Sequence, residues 1–174
     1  MFTLHHGIWI YFLTRRHAQV WQFVAGSMLP DYVYFFMVGL MLIRGQINFP
    51  ELISLSPQIM MFFLPMYPWV VKIDIIGHSV VIWGAVFILT LLPGVNRLQA
   101  FVVGWGTHLL FDALTHGAYA NPFLYPLSLY AVHSPVSFWE PAYFAREFNI
   151  VNNALMVLMA LYILYEWLGK KYRK

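Results

Sequence analysis

Residues 104–117 read GWGTHLLFDALTHG, an apolar stretch that carries three ionisable side chains, His108, Asp112 and His116. Their four-residue spacing places all three on one face of an α-helix. Ionisable groups inside an apolar segment are energetically costly unless they are paired or bound to a metal. The stretch therefore predicts a buried helix, and its row of imidazole, carboxylate and imidazole indicates part of a metal site.

The composition of the whole chain indicates an integral membrane protein. Of its 174 residues, 61% are hydrophobic and 10% are charged, whereas a soluble domain has about 25% charged residues. The length suits one unit, so we expect a single integral membrane domain over residues 1–174. The chain has no cysteine, so any metal must be held by nitrogen and oxygen ligands.

Four apolar segments are each close to the length of about 20 residues that crosses a bilayer. They cover residues 18–43, 73–92, 98–116 and 150–168. We therefore predict an all-α fold, a polytopic membrane helical bundle with about four transmembrane helices.

Three other segments are expected to lie at or within the membrane without crossing it. Residues 2–13 are apolar but too short to span, which predicts an N-terminal half-helix. Residues 49–70 are interrupted by four prolines, which predicts a re-entrant or interfacial segment. Residues 121–141 are rich in Pro, Ser, Tyr and Trp, which predicts a structured loop at the membrane surface.

The distribution of Lys and Arg predicts an orientation. With four crossings and the basic tail 170–174 inside, seven basic residues lie in the cytoplasm and three, Arg44, Lys72 and Arg146, lie outside. This pattern favours a multi-pass protein of the bacterial or archaeal cytoplasmic membrane, with both termini near the cytoplasmic side. The basic residues mark segment ends, so no nucleic-acid partner is expected, and membrane lipid is the expected surrounding.

Counting residues from the segment ends places several ionisable side chains at one depth. His108 lies eleven residues past Arg97, which is about 16 Å along a helix. Asp31, His78 and His6, counted from the ends of their own segments, lie at similar depths. We therefore expect four segments to bring ionisable groups together between the midplane and the outer face.

Each of the central candidates also has a structural interpretation. His108 and Asp112 could form a hydrogen-bonded pair in a bundle core. Asp31 could cap the start of a second helix as well as face a cavity. His78, with Asp74 one turn earlier, could be a ligand whose tautomer Asp74 sets, or a simple imidazole–carboxylate pair.

The remaining candidates are less constrained by their spacing. His5 and His6 are adjacent, so only one of them can face the bundle. His116 could be a further ligand or an interfacial residue at the helix end. His133 and Glu140, in the predicted surface loop, could cap the site, bind substrate, or belong to an interfacial belt.

The order of the motifs resembles a group of bacterial inner-membrane metal-dependent hydrolases. An N-terminal histidine is followed by GSMLPDYVYF at 26–35, GHS at 77–79 and GWGTHLLFDALTHG at 104–117. This order resembles the YdjM-like, DUF457 and DUF4184 families and extends over roughly the first 128 residues. More distantly it is similar to the zinc-dependent phospholipase C and P1 nuclease class, whose members are helical and hold zinc ions.

The resemblance implies a membrane-embedded hydrolase that acts on a phosphoester or lipid-like substrate through a metal-activated water. The metal ligands that it implies are His6, Asp31, His78, His108 and Asp112, with His116 a further candidate. His5 is an equal match for the early histidine. We expect Asp31 or Asp112 to bridge ions or orient the water.

The chain departs from these families in ways that bear on the metal count. Tyr32 and Val33 follow the Pro-Asp motif where the YdjM-like pattern has Asp-His, and no H-x-x-x-E motif closes the site. One or two ions, zinc by expectation, are therefore predicted rather than three. The alternative is a non-enzymatic protein that binds metal or conducts ions or protons, and a third interpretation is a structural membrane protein.

Overall fold

The structure is a computed structural model that describes residues 1–172, with side chains described to Gly169. Within this part every regular element is a helix, so the all-α prediction is confirmed. Residues 173–174 of the predicted basic tail lie outside the described residues. The α-helices are α1 (Thr3–Thr14), α2 (Val20–Met28), α3 (Tyr32–Ile43), α4 (Phe49–Ile53), α5 (Pro57–Phe63), α6 (Pro68–Gly77), α7 (Val80–Leu89), α8 (Gln99–Thr115) and α9 (Ala145–Tyr172).

Two helical segments of the described chain are long and apolar enough to cross a membrane. They are Val20–Ile43, which joins α2 to α3 through a 3-10 turn at Pro30, and Ala145–Gly169 within α9. A third span is obtained if α5 and α6, which meet at a bend of 118°, are counted together. These segments indicate a membrane protein, while the fourth crossing stays a prediction.

The segment predicted as one span over residues 73–92 is divided between two helices. α6 ends where the backbone N–H of His78 donates to the carbonyl of Asp74. α7 begins at once, because the Ser79 hydroxyl accepts the N–H of Ile82 as an N-cap. The prediction of one continuous helix was therefore wrong, since hydropathy does not register a serine cap inside an apolar run.

α1 and α2 form an antiparallel hairpin. The Thr3 hydroxyl donates to Asp31 at 2.7 Å at one end of the pair, and the rings of Tyr11 and Trp21 lie 5.5 Å apart towards the other. Met1 is buried at the end occupied by Asp31. The N-terminal residue thus lies a full helix length from Arg15, and the predicted placement of both termini near the cytoplasmic side stays a prediction.

α2 and α8 run parallel and approach closely enough for backbone to touch backbone. A Cβ added to Gly26 would lie 1.8 Å from the carbonyl oxygen of Phe101, and one added to Gly104 would lie 2.2 Å from that of Phe23. Only glycine fits at such a contact, as is common between membrane helices. This close approach brings α2 within hydrogen-bonding reach of the side chains on α8.

α9 lies along α1 and makes few contacts with the rest of the chain. Only 11% of its apolar window is buried. Trp9 donates to Asn152 at 2.8 Å in the middle of the pair, and Arg15 donates to Glu166 at 3.2 Å near its end. The large exposed apolar surface of α9 suits contact with lipid.

Candidate metal centre

A group of buried histidines and aspartates lies where α1, the α2–α3 junction, the α6–α7 break and α8 meet. Local features of the chain help to place these side chains. A proline turn lies beside Asp31, and a serine cap follows His78 where α6 ends. All of these side chains are buried, and they belong to four segments that are distant in sequence. The members are His6, Asp31, His78, His108 and Asp112.

His78 and His108 face each other through their Nε2 atoms, which are 3.0 Å apart. The Nδ1 atom of His108 lies 2.8 Å from the carbonyl oxygen of Ser27, and that of His78 lies 2.9 Å from the carbonyl oxygen of Asp74. A carbonyl only accepts, so each Nδ1 carries the proton. In the neutral rings both Nε2 lone pairs therefore point at each other, an arrangement that is stabilised by a proton on one ring or by a metal ion held between the two.

Asp112 connects two sides of the group. Its Oδ2 lies 3.0 Å from Nε2 of His108 and 3.2 Å from Nε2 of His78. Its Oδ1 lies 3.1 Å from Nε2 of His6 and 2.7 Å from the amino group of Met1. The carboxylate thus offers one oxygen to each of two neighbouring positions.

Asp31 contributes one oxygen and is held by the other. Its Oδ2 accepts the hydroxyl of Thr3. Its Oδ1 lies 3.8 Å from Nε2 of His78 and 3.7 Å from Nε2 of His108, beyond hydrogen-bonding distance. The oxygen facing the histidines is therefore available to a ligand placed between them.

The donor atoms fall into two overlapping groups that could each hold a metal ion. His6, His108 and Asp112 form one group, while Asp31, His78 and His108 form the other, with the donor atoms of each within 4.8 Å of one another. His108 belongs to both. Nitrogen and oxygen donors of this kind suit zinc, manganese or iron.

His6 provides an independent observation that these residues fit a metal. Its ring is fully buried and stacks on His108 with centroids 3.9 Å apart. Neither of its ring nitrogens has a hydrogen-bond partner, although Nε2 lies close to Asp112. Buried polar atoms without partners are rare and unfavourable, so the site as built has unused ligand capacity.

Two of the predicted residues lie next to the group rather than inside it. Asp74 places its Oδ1 3.1 Å from Nδ1 of His78, on the side away from His108. This is the position from which a carboxylate fixes the tautomer of a ligating histidine. His116 is only partly buried, with Nδ1 3.5 Å from Oδ1 of Asp112, and it lines the adjoining cavity.

Three other predicted residues do not reach the group. His5 points to α9, where its Nδ1 lies 3.1 Å from the amide nitrogen of Asn152, so His6 is the histidine that faces the site. His133 lies 2.7 Å from the carbonyl oxygen of Gly117 through its Nδ1. Glu140 is buried in the loop and makes its hydrogen bonds there.

Glu140 and its neighbours secure the turn that ends α8. The two carboxylate oxygens of Glu140 accept the backbone N–H groups of Gly117 and Ala118, at 3.0 and 2.9 Å. Ser134 donates to the carbonyls of Leu114 and His116 at 2.8 Å each. The loop thereby satisfies the free backbone groups at this helix end, and it positions His116 without contributing a ligand.

Sequence reasoning missed three residues that shape the site. Thr3 holds Asp31, the carbonyl of Ser27 orients His108, and the side chain of Tyr34 lies against Asp74. A hydroxyl in the first turn of a short apolar helix carries no pattern of its own. The role of Ser27 comes from its backbone, which the identity of the residue does not report.

A cavity of about 640 Å³ opens beside the group. Asp31, His78 and Asp112 line one end, together with His116. Apolar side chains of α3, α4 and α5 line the opposite wall, and the loop after α8 lines the rest. The volume is typical of a pocket for a small ligand, so a substrate has room to reach the donor atoms.

The fold and site together define a class: an α-helical membrane protein with a buried histidine–aspartate centre next to a cavity. The chain belongs to the family described as "Domain of unknown function (DUF4184)", which it matches over residues 1–121. The matched region includes every residue of the buried group and ends within the loop that follows α8. No curated protein and no solved structure matches the chain.

Proposed function

We propose that this protein is a membrane-embedded metal-dependent hydrolase that acts on a phosphoester or lipid-like substrate. The observation that carries the proposal is the pair of Nε2 atoms of His78 and His108, 3.0 Å apart with both Nδ1 atoms at backbone carbonyls. Two lone pairs and two carboxylates directed at one point favour a divalent cation. The adjoining cavity supports chemistry on a bound molecule over a purely structural role.

The two ligand groups overlap at His108, whose Nε2 carries a single lone pair and would therefore bind an ion in one of the two positions. His6 and Asp112 would complete one position, and Asp31 and His78 the other. A bound divalent metal supplies a Lewis acid and lowers the pKa of a coordinated water, which is the chemistry that hydrolysis needs. Zinc is the preferred identity for this donor set, and the distant resemblance of the motif order to the phospholipase C class agrees with it.

The chain's own residues would place the substrate and the attacking water. Asp31 lines the cavity and keeps Oδ1 free because Thr3 occupies Oδ2, so it can hold a water as acceptor. Asp112 lies deeper and spans both positions, which suits a bridging carboxylate. Asp74 would keep the His78 ring oriented for ligation.

Four crossings of the cytoplasmic membrane, with the C-terminal end inside, remain the proposed topology. Arg15 and Arg16 both donate to Glu166, so the basic end of α1 and the far part of α9 lie on one side of the molecule. α2 and α8 run parallel, as the proposal requires of the first and third crossings. The positive-inside rule then assigns this basic side to the cytoplasm.

The test of the metal centre is elemental analysis of protein purified in detergent, comparing three variants with wild type. His108→Ala removes the ligand that both groups share, so bound metal should fall below about one tenth of the wild-type content. Asp112→Ala should also lose most of the metal. His6→Ala affects one group only, so a protein with two ions should retain one.

His5→Ala is the matched control, because His5 is the sequence neighbour of His6 but faces α9. Its metal content should equal that of wild type. Unchanged metal in both His108→Ala and Asp112→Ala would refute the site. Activity is then tested with a phosphodiester reporter and a labelled phospholipid, whose hydrolysis should require both the metal and Asp31.

One observation favours a second candidate function, a protein that conducts protons or metal ions. Asp74, His78, His108 and Asp112 form a continuous row of hydrogen-bonding groups across the buried centre. Such rows relay protons in membrane proteins. Metal or proton flux into liposomes without any hydrolysis would favour this function over the hydrolase.

A further inference from the structure

We infer that an apolar groove on the outer face of α3 holds the hydrocarbon chain of the substrate, which is therefore an amphiphile that enters from the bilayer. This inference rests on the proposed function, because it concerns the substrate of the same centre. It goes beyond that proposal in two ways. It assigns the surface that binds the hydrocarbon chain of the substrate, and it names the protein side chain that the head group must pass.

The groove has a volume of about 650 Å³ and is lined almost wholly by apolar atoms. Phe36, Gly39 and Ile43 of α3 form one side, and Trp69 of α6 contributes to the other. α3 belongs to the candidate span Val20–Ile43, so this face of the helix is in contact with lipid when the span is inserted. Hydrocarbon is the chemistry that such a lining accepts.

The groove is continuous with the cavity of the metal centre at a single side chain. Phe35 lines both the groove and the cavity, and 53% of its surface is exposed. One aromatic ring therefore separates the lipid-facing surface from the space beside Asp31 and His78. Rotation of this ring would join the two volumes, and exposed side chains change rotamer rapidly.

The lining of the cavity matches the two ends of an amphiphile. Val38 and Leu64 lie on its apolar wall, whereas Asp31, His78 and Asp112 lie at its polar end. No Lys or Arg side chain lines the cavity among the described residues. An anionic head group would therefore be bound at the metal centre, beside the amino group of Met1, which favours a small phosphoester head over a large one.

Gly39 gives a way to close the groove without disturbing the fold. A Cβ added there meets nothing within 4 Å, so a larger side chain would extend into open space along the groove. Gly84 of α7 is equally open and does not line the groove, which makes it a matched control. Leucine at either position keeps an apolar helix apolar.

The experiment measures binding of two inhibitors of different chain length to the zinc-loaded protein in detergent. Ethylphosphonate presents the head group alone, and dodecylphosphonate adds a hydrocarbon chain. Gly39→Leu should weaken dodecylphosphonate about tenfold and leave ethylphosphonate unchanged, as measured by titration calorimetry. Gly39→Ala should give a smaller loss, and Gly84→Leu should leave both affinities at wild-type values.

Equal affinity of Gly39→Leu and wild type for dodecylphosphonate would overturn the inference, as would an equal loss for both phosphonates. A wild-type protein that holds zinc but binds neither phosphonate would also overturn it, while the metal centre would stand. A protein that takes up no zinc would refute the proposed function itself, so the two failures are distinguishable.

Discussion

α8 and α9 are two apolar helices that the same hydropathy signal predicts, yet the fold uses them in opposite ways. α8 buries eight of its seventeen residues and carries His108 and Asp112. α9 is longer and leaves most of its apolar surface exposed. The difference shows that hydropathy identifies segments suited to a membrane but not which of them meet protein. Glycines and buried polar groups make that distinction.

The largest effect is expected where α8 touches α2. Gly104→Ala places a Cβ 2.2 Å from the carbonyl oxygen of Phe23. The two helices must then separate, which should lower the free energy of unfolding by about 3 kcal/mol and weaken the bond from His108 to the carbonyl of Ser27. Thermal unfolding in detergent and metal content both measure the change.

Gly169→Ala is the control on α9, because a Cβ there meets nothing within 4 Å. Its stability should equal that of wild type or exceed it by up to about 1 kcal/mol, since alanine favours helix over glycine. Equal free energies of unfolding for Gly104→Ala and Gly169→Ala would contradict the prediction. They would mean that the backbone contact between α2 and α8 does not explain why α8 is buried and α9 is exposed.

The contrast also explains how far the sequence predicts the site. Hydropathy and residue counting put His6, Asp31, His78 and His108 at one depth, and the structure brings them together with Asp112. Depth along a helix follows from a fixed rise per residue, so four separate segments can be compared before any contact is known. Residue counting does not give the rotation of a helix about its own axis, so the sequence could not decide whether His5 or His6 faces the site.

Features that depend on tertiary contacts could not be predicted from the sequence. The break between α6 and α7 depends on a cap by Ser79 within an apolar run. Glu140 was a candidate for substrate binding, but its carboxylate is occupied by the backbone of the turn after α8. Neither result can be obtained from spacing, because each is decided by a partner at another position in space.

An intermediate effect is expected at Asn152, a buried polar residue in the first third of α9. Asn152→Leu removes the acceptor of Trp9 and the partner of His5, so a partly buried indole N–H loses its hydrogen bond. The free energy of unfolding should fall by about 1–2 kcal/mol. Thermal unfolding measures the loss, and the fluorescence of Trp9, isolated as the difference from Trp9→Phe, reports the local change.

The adjacent residue supplies the control for this prediction. Asn153 is exposed and points about 100° away from Asn152 around the helix, so Asn153→Leu should cause no loss and would improve contact with detergent or lipid. Equal destabilisation by both substitutions would mean that α9 is held by general packing rather than by Asn152. The prediction thus tests whether an exposed apolar helix is fixed in place by a single polar contact.

The smallest effect is expected at the basic end, where Arg15 and Arg16 both contact Glu166 but differ in surroundings. The guanidinium of Arg15 lies 4.4 Å from the ring centroid of Phe12 and 5.1 Å from that of Tyr162, while Arg16 is exposed to solvent. Arg15→Gln should lower stability by about 0.5–1 kcal/mol through lost cation–π contact, a loss that persists at high salt. Arg16→Gln should have no measurable effect in salt, because an exposed ion pair is screened. Unfolding curves of both variants at low and high salt measure these changes. A larger loss of stability from Arg16→Gln than from Arg15→Gln would contradict the prediction, because it would show that charge pairing with Glu166, rather than aromatic contact, holds α9 against α1.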